Sequence, residues 1–312
     1  MWTRRRVLGG AAAMAALGLP IPPARAATDQ LRLALVSQPP HLDPTAGDDP
    51  ATLAVSYQNI FEGLTLIDEK GAVVPGLAKS WTVSDDGLTY SFALQDQARF
   101  HDGTSFDASH VVFSLKRLAA AGAPAYQGIT EVVATDALSA RVMLKAADDQ
   151  FLRNLGLPAA VMVAPESADN NRTVPLGTGP FAFVEWRDGE AIVLERNEDY
   201  WGRHPRITVA DFIFVHDPAT GIAALLDNEL DGYPDVPEAR LLDEVRGKAG
   251  YLVVTGKGPD GRPRYSAWNA GLTGMWADAP IESCVLAPIR WLSDTSPETT
   301  GPAPMPNTDE EP

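Results

Sequence analysis

The sequence predicts an α/β fold built around a mixed sheet. Three observations carry this: β-forming runs arrive in hairpin pairs, helical stretches lie between them, and turn residues separate the two. With 45% hydrophobic and 21% charged residues, the 312-residue chain also holds enough apolar matter for a sizeable core.

Leu31 to Val36 alternates Arg32 with aliphatic residues and reads as a first strand. It runs into Ser37-Gln38-Pro39-Pro40-His41-Leu42-Asp43-Pro44, where three prolines forbid helix and regular ladder pairing. Ala51 to Glu62 predicts a helix with Leu53, Tyr57, Ile60 and Phe61 on one side, stopped by Gly63. Leu64 to Asp68 and Ala72 to Val74 flank the turn signal Glu69-Lys70-Gly71. Trp81 to Val83 and Leu88 to Leu94 flank Ser84-Asp85-Asp86-Gly87, and Asp-Gly between β-formers is a strong hairpin cue. After the turn His101-Asp102-Gly103, Asp107 is placed to cap a helix from Ala108 to about Ala121, with Gly122 as its stop. Val111, Val112, Leu115 and Leu118 give it one apolar side.

Glu131 to Thr135 with Ala140 to Leu144 predicts another hairpin, and Val161 to Ala164 a short buried strand. Phe181 to Trp186 and Ala191 to Glu195 pair around Arg187-Asp188-Gly189-Glu190. Ile207 to Val215 reads as a strand, Ala219 to Asn228 as a helix, and Leu230 to Tyr233 as a short strand. Thr255 to Arg264, rich in Gly, Pro and charge, predicts a linker. Residues 265–295 form a Trp-rich segment. Ser296 to Pro312 holds five prolines and four acids with no basic residue, which predicts a disordered acidic tail.

The N-terminus has the order of a secretory signal. Arg4-Arg5-Arg6 is followed by an apolar, Gly/Ala-rich stretch from Gly9 to Ile21, then Ala24-Arg25-Ala26 as a small-x-small cleavage site. Adjacent arginines point to the twin-arginine route, and the stretch is too glycine-rich and short to span a bilayer. Cleavage after Ala26 would leave 286 residues in the periplasm. It would also deepen the net charge from −16 to −20, because the segment carries four arginines and no acid. A surface that acidic repels phosphate backbones, so nucleic acid is excluded as a partner. One cysteine, Cys284, excludes an internal disulfide and a multi-cysteine metal site. It reads as a buried small hydrophobe in preference to a free thiol.

Two blocks carry a family resemblance. The first contains Phe61-Glu62-Gly63-Leu64, Pro75 to Trp81, Ser84 to Phe92, Phe100-His101-Asp102-Gly103 and Val111 to Arg117. The second contains Gly177-Thr178-Gly179-Pro180-Phe181, Glu195 to Gly202 and Leu225 to Asp231. Together with Leu42-Asp43-Pro44, these resemble the family 5 extracellular solute-binding proteins, the periplasmic receptors of ABC importers for peptides, nickel or other small solutes. The resemblance implies a type II-like periplasmic binding-protein fold and a binding protein, with two lobes closing on a ligand. Residues 27–254 would form the first lobe with its extra subdomain. Only 81 residues follow Asp231, so the expectation is a shortened form lacking most of the second lobe.

On this reading the ligand wall comes from Gln38, Pro39 and Pro40 after the first strand, plus Thr178 in its glycine turn, because ligands sit where strands end and loops converge. The Gln38 amide would pair with ligand backbone amides. Partners are then a small solute or peptide and ABC permease subunits. No cofactor, metal or catalytic residue is expected. Gly177-Thr178-Gly179 lacks the Lys-Ser/Thr of a phosphate loop and reads as a tight turn. His101-Asp102 and His216-Asp217 lack the spacing of a zinc site and read as turn residues. His41 has a better claim, since its loop is expected to face the cleft. The competing class is an accessory protein docking a periplasmic protein through Tyr265, Trp268, Trp276 and Trp291. An acidic lobe would suit a cationic ligand or a peptide N-terminus.

Overall fold

The computed structural model describes residues 30–68, 71–257 and 262–269. The predicted signal segment 1–26, the predicted acidic tail 296–312, Cys284, Trp276 and Trp291 lie outside the described residues, as do Glu69 and Lys70 of one predicted turn.

β1 (Gln30–Leu35) leads through the proline loop to α1 (Pro50–Ser56). β2 (Thr65–Ile67) and β3 (Val73–Pro75) form a short hairpin. β4 (Ala78–Val83), β5 (Thr89–Leu94), α2 (Ala108–Ala120), β6 (Ile129–Asp136) and β7 (Ser139–Leu144) build a four-stranded antiparallel sheet, order β4-β5-β7-β6, with α2 packed on it. After α3 (Phe151–Asn154), the chain returns through β8 (Phe181–Arg187), β9 (Ala191–Arg196), β10 (Val209–Phe214), α4 (Pro218–Leu226) and β11 (Gly232–Tyr233). β12 (Tyr251–Lys257) and β13 (Pro263–Asn269) close a seven-stranded mixed sheet, order β12-β13-β11-β1-β10-β9-β8.

Several elements form for the reasons the sequence suggested. The Asp107 carboxylate caps α2 by accepting from the Ser109 N–H at 2.8 Å, and Gly122 takes φ +78 just past the helix end. The α1 helix is shorter than predicted. It ends at Ser56, and Gln58 adopts φ 61, so Ile60 and Phe61 sit in an irregular turn in place of a helical face. The predicted strand 161–164 has no ladder; Val161 makes one isolated bridge to Gly63. The predicted linker 255–264 is also corrected. Residues 255–257 and 263–264 belong to β12 and β13, which pair from Tyr251↔Asn269 to Lys257↔Pro263. Tyr265 and Trp268 accordingly lie in the main sheet. Trp268 is 1% exposed and donates its indole N–H to Ser266, which removes it from any docking surface.

The core is divided. Leu31, Leu33 and Leu35 of β1 point to one face with Ile192, Leu194, Phe212 and Trp268, while Ala34 faces the other with Val215, Ile222, Leu225 and Tyr233. That is the period-2 alternation of a strand buried on both sides. A separate core beneath the four-stranded sheet gathers Phe92, Leu94, Phe100, Phe106, Val111, Leu115, Val142 and Phe151. Each such fully buried side chain contributes about 1.5–3 kcal/mol by leaving water. Between these cores runs the extended stretch 161–164. Val161 and Val163 enter the first, Met162 and Ala164 the second, and all four are at most 3% exposed.

Candidate functional site

The parallel strands of the main sheet fix its two ends. β1 pairs in parallel with β10 on one side and β11 on the other. The chain passes from β10 through α4 to β11 and so crosses β1, which makes the carboxyl end of β1 a point where connections diverge. In open α/β sheets, that is where ligands bind. β8 is antiparallel to β9, which is antiparallel to β10, so β8 also ends at this end of the sheet.

The loop leaving β1 there is held at four places. The Gln38 side chain donates to the Asp188 carboxylate at 2.7 Å and accepts from the Gly189 N–H at 2.8 Å, clasping the β8–β9 turn. Further along, the His41 carbonyl accepts from the Thr52 hydroxyl at 2.6 Å, and the Leu42 N–H donates to the Arg172 carbonyl at 2.9 Å. Asp43, 1% exposed, accepts from the Thr45 N–H and hydroxyl and from Arg117 of α2 at 3.3 Å. Arg117 also donates to the Thr45 hydroxyl at 2.6 Å. Pro39 is buried, whereas Pro40 is exposed. Residues 41–45 are thus firmly held, while Val36, Ser37 and Pro40 before them are open to solvent.

Thr178 is elsewhere. Phe181 pairs with Arg196, next to the Glu195↔Val209 and Val209↔Gln30 pairings, so the glycine turn precedes β8 at the opposite end of the sheet from Gln38. The side chain is fully buried, and its hydroxyl donates to Glu62 at 2.9 Å. Four predicted wall residues therefore split into a group of three at one sheet end and one buried residue at the other.

Glu62 is what the Thr178 turn is built around. This carboxylate is 3% exposed and has three neutral donors: Thr178, the Tyr200 hydroxyl at 2.8 Å and the Trp201 indole N–H at 3.0 Å. Burial pushes the carboxyl up to about 7 despite the lowering effect of the Trp201, Tyr200 and Thr178 bonds. His101 grips the same turn through the backbone. Its Nε2 lies 3.0 Å from the Gly179 carbonyl, an acceptor only, so Nε2 carries the proton and Nδ1 accepts from the Gly177 N–H at 3.4 Å. Burial lowers this imidazole to about 4, partly opposed by the Gly179 bond and by Asp102. Both glycines are required by close approach. A Cβ on Gly177 would lie 1.9 Å from the Ile60 carbonyl oxygen, and one on Gly179 2.3 Å from that of Asn59.

The remaining sequence candidates are local. Asp102 bonds the Thr104 N–H, and Asp217 caps α4 through Thr220. His41 is 7% exposed, and its Nδ1 has no partner. Among the described residues, no group of three or more His, Cys, Asp or Glu side chains comes together as a metal site. Among them, too, no helix is long and apolar enough to cross a membrane. Sequence reasoning missed Asp188, Gly189 and the Asp43–Arg117 tie. For the first two the signal was present, as the Asp-Gly of a predicted hairpin turn lying next to the end of β1.

The profile of the bacterial extracellular solute-binding proteins, family 5 Middle, matches residues 72–280, more than half of the chain. The chain belongs to that family. Among curated family 5 relatives, the nickel-binding periplasmic protein of Escherichia coli (strain K12) is 33% identical over 183 residues, which is 55% of this chain and 35% of that protein. The glutathione-binding protein GsiB of Pectobacterium atrosepticum is 31% identical over 218 residues, covering 65% and 42% respectively. The chain spans less than half the length of these relatives. Among solved structures, the periplasmic binding protein DppA from Helicobacter pylori in complex with peptide STSA superposes with TM-score 0.66 at 25% identity, covering 73% of this chain and 50% of that one. NikA from Brucella suis in complex with Fe(III)-EDTA gives TM-score 0.66 at 25% identity, covering 73% and 48%. The fold is therefore the type II periplasmic binding-protein fold, as the family 5 resemblance implied.

Proposed function

We propose that this chain acts as a periplasmic solute-binding protein of an ABC-type importer, taking a peptide or another small solute at the wall formed by Gln38, Pro39 and Pro40. The observation that carries the reading is the anchoring of the loop at the carboxyl end of β1, held at His41, Leu42 and Asp43. A loop so constrained presents a ligand with a surface that needs little ordering on binding, which is the usual economy of a preformed site. Family membership supports binding in place of catalysis. The names of the relatives, which bind nickel, glutathione and peptide, support a small solute or peptide as cargo. Thr178 enters this reading as a brace for the Glu62 cluster and not as a ligand contact, because its side chain is fully buried and stands at the opposite end of the sheet from the Gln38 loop. Export through the twin-arginine route and delivery to ABC permease subunits belong to the same proposal.

The test is to purify the full chain, incubate it with a mixture of short peptides and with nickel-loaded chelates, and identify by mass spectrometry what stays bound. Retention of a defined peptide or small solute, weakened by Pro40→Ala, is the expected result. A chain that retains nothing overturns the reading.

A further inference from the structure

The clasp between Gln38 and the β8–β9 turn has an unusual chemical completeness. Both halves of one carboxamide are matched: the oxygen accepts from the Gly189 N–H at 2.8 Å, and the nitrogen donates to the Asp188 carboxylate at 2.7 Å. A peptide bond offers the same pair, one N–H donor and one carbonyl acceptor.

The turn does not depend on Gln38 for its shape. Gly189 takes φ +72, a left-handed conformation that glycine adopts without strain, and the Glu190 N–H closes the turn on the Arg187 carbonyl at 3.0 Å. The Phe214 N–H then ties Glu190 to β10 at 2.8 Å. The Gly189 N–H is therefore held at the sheet end whether or not Gln38 is present, with the Asp188 carboxylate on the residue beside it.

Gln38, by contrast, sits on the looser part of its loop. The buried ties begin at His41 and continue to Asp43, whereas Val36, Ser37 and Pro40 are exposed and Gln38 is half-buried. The clasp bonds are solvent-exposed, and exchanging a solvated hydrogen bond for an equivalent one changes free energy little.

We propose that Asp188 and Gly189 form a subsite for a peptide amide, and that Gln38 occupies it in the free protein as an internal stand-in that the ligand displaces. This rests on the reading that solute binds at this end of the sheet, and it names the chemistry selected there. The class is a group presenting an N–H to Asp188 and a carbonyl to Gly189 together. An amine alone satisfies only the first, and a carboxylate faces repulsion from Asp188.

The experiment uses tri-alanine as probe and the full chain labelled with ¹⁵N. Addition of tri-alanine is expected to shift the Gly189 amide and the Gln38 side-chain amide resonances. Gln38→Ala removes the competitor and is expected to tighten binding by about 3- to 10-fold, the worth of roughly one net hydrogen bond. Asp188→Ala removes half of the subsite and is expected to weaken binding by a similar factor. A merely structural clasp is broken equally by both variants, so changes in the same direction, or no change in either, overturn the proposal. Shifts elsewhere that leave Gly189 and Gln38 unmoved also overturn it, while solute binding itself stands. Absence of any shift overturns the peptide subsite, and the retained-ligand measurement then judges solute binding separately.

Discussion

Glu62 and His101 hold the same three-residue turn by different groups. Glu62 takes the Thr178 hydroxyl, and His101 takes the Gly177 N–H and the Gly179 carbonyl. Each belongs to a segment entering the core under the four-stranded sheet, through Leu64 in one case and Phe100 in the other. The turn itself opens the β8 strand of the main sheet. The two residues therefore join the core of the four-stranded sheet to the main sheet, and both titrate.

The pH response of Glu62 follows from its raised value of about 7 against an ordinary 4.5. Between those values the folded protein keeps a proton that the unfolded chain has released. The stabilisation is fully present below pH 4.5 and is lost as pH rises through 7. The difference is on the order of 3 kcal/mol. Glu62→Gln keeps an oxygen for Thr178 and Trp201 and turns an amide toward the Tyr200 oxygen. Urea midpoints at pH 5 and pH 8 are expected to differ for the wild type and to move closer together in Glu62→Gln; equal pH dependence in both would contradict this.

His101 carries the opposite slope. Its depressed value of about 4 means that the unfolded chain binds a proton between pH 4 and 6.5 that the folded protein refuses. Its contribution is present above pH 6.5 and is lost as pH falls through 4. Imidazole ¹⁵N shifts are expected to show a neutral ring with the proton on Nε2 down to about pH 5. A ring that titrates near 6.5 would remove this residue from the seam.

Gly177→Ala is expected to be among the most damaging single substitutions. The new Cβ meets backbone at 1.9 Å, and the Ile60 carbonyl it strikes already accepts from the Gly179 N–H. A loss above about 4 kcal/mol, or failure to accumulate as folded protein, is the expected outcome. Gly128→Ala, with nothing within 4 Å of its Cβ, serves as the control and should melt like the wild type.

Arg117→Met tests the anchoring of the proline loop. It leaves the nearly buried Asp43 carboxylate with only the Thr45 bonds. Because Arg117 is about one-third exposed, the expected loss is roughly 1–3 kcal/mol, below that for a wholly buried pair. Hydrogen exchange should quicken at the Thr45 and Leu42 amides and stay unchanged at Gly177, at the opposite end of the sheet. Uniform quickening would show that the loop is not separately anchored.

Local chemistry was legible in the sequence where one residue decides the outcome. Asp107 caps α2, and Gly87 and Gly189 take positive φ in the turns their Asp-Gly pairs announced. Placement across the sheet was not legible, because it depends on partners far apart in the chain. Nothing near Thr178 reveals that β8 runs parallel to β1, and so nothing reveals that Thr178 and Gln38 stand at opposite ends. The predicted linker failed for a related reason. Its glycines, prolines and charges resemble a loop, while the alternating Tyr251 to Val254 and Tyr265 to Trp268 on either side show the hairpin only once paired. Glu62 read as part of a motif, yet its burial arises from Tyr200 and Trp201, 138 and 139 residues away.

The stretch from Val161 to Ala164 acts as a party wall. It has no solvent side: successive side chains enter different cores, and its backbone is tied to the Glu62 carbonyl on one side and the Ser114 hydroxyl of α2 on the other. Melting either core strips partners from the same four residues and weakens the other at once. Cooperative units are set by such shared contacts and not by which strands share a ladder. The border that the two sheets draw is therefore one of topology alone, and heat or denaturant should cross it in a single step.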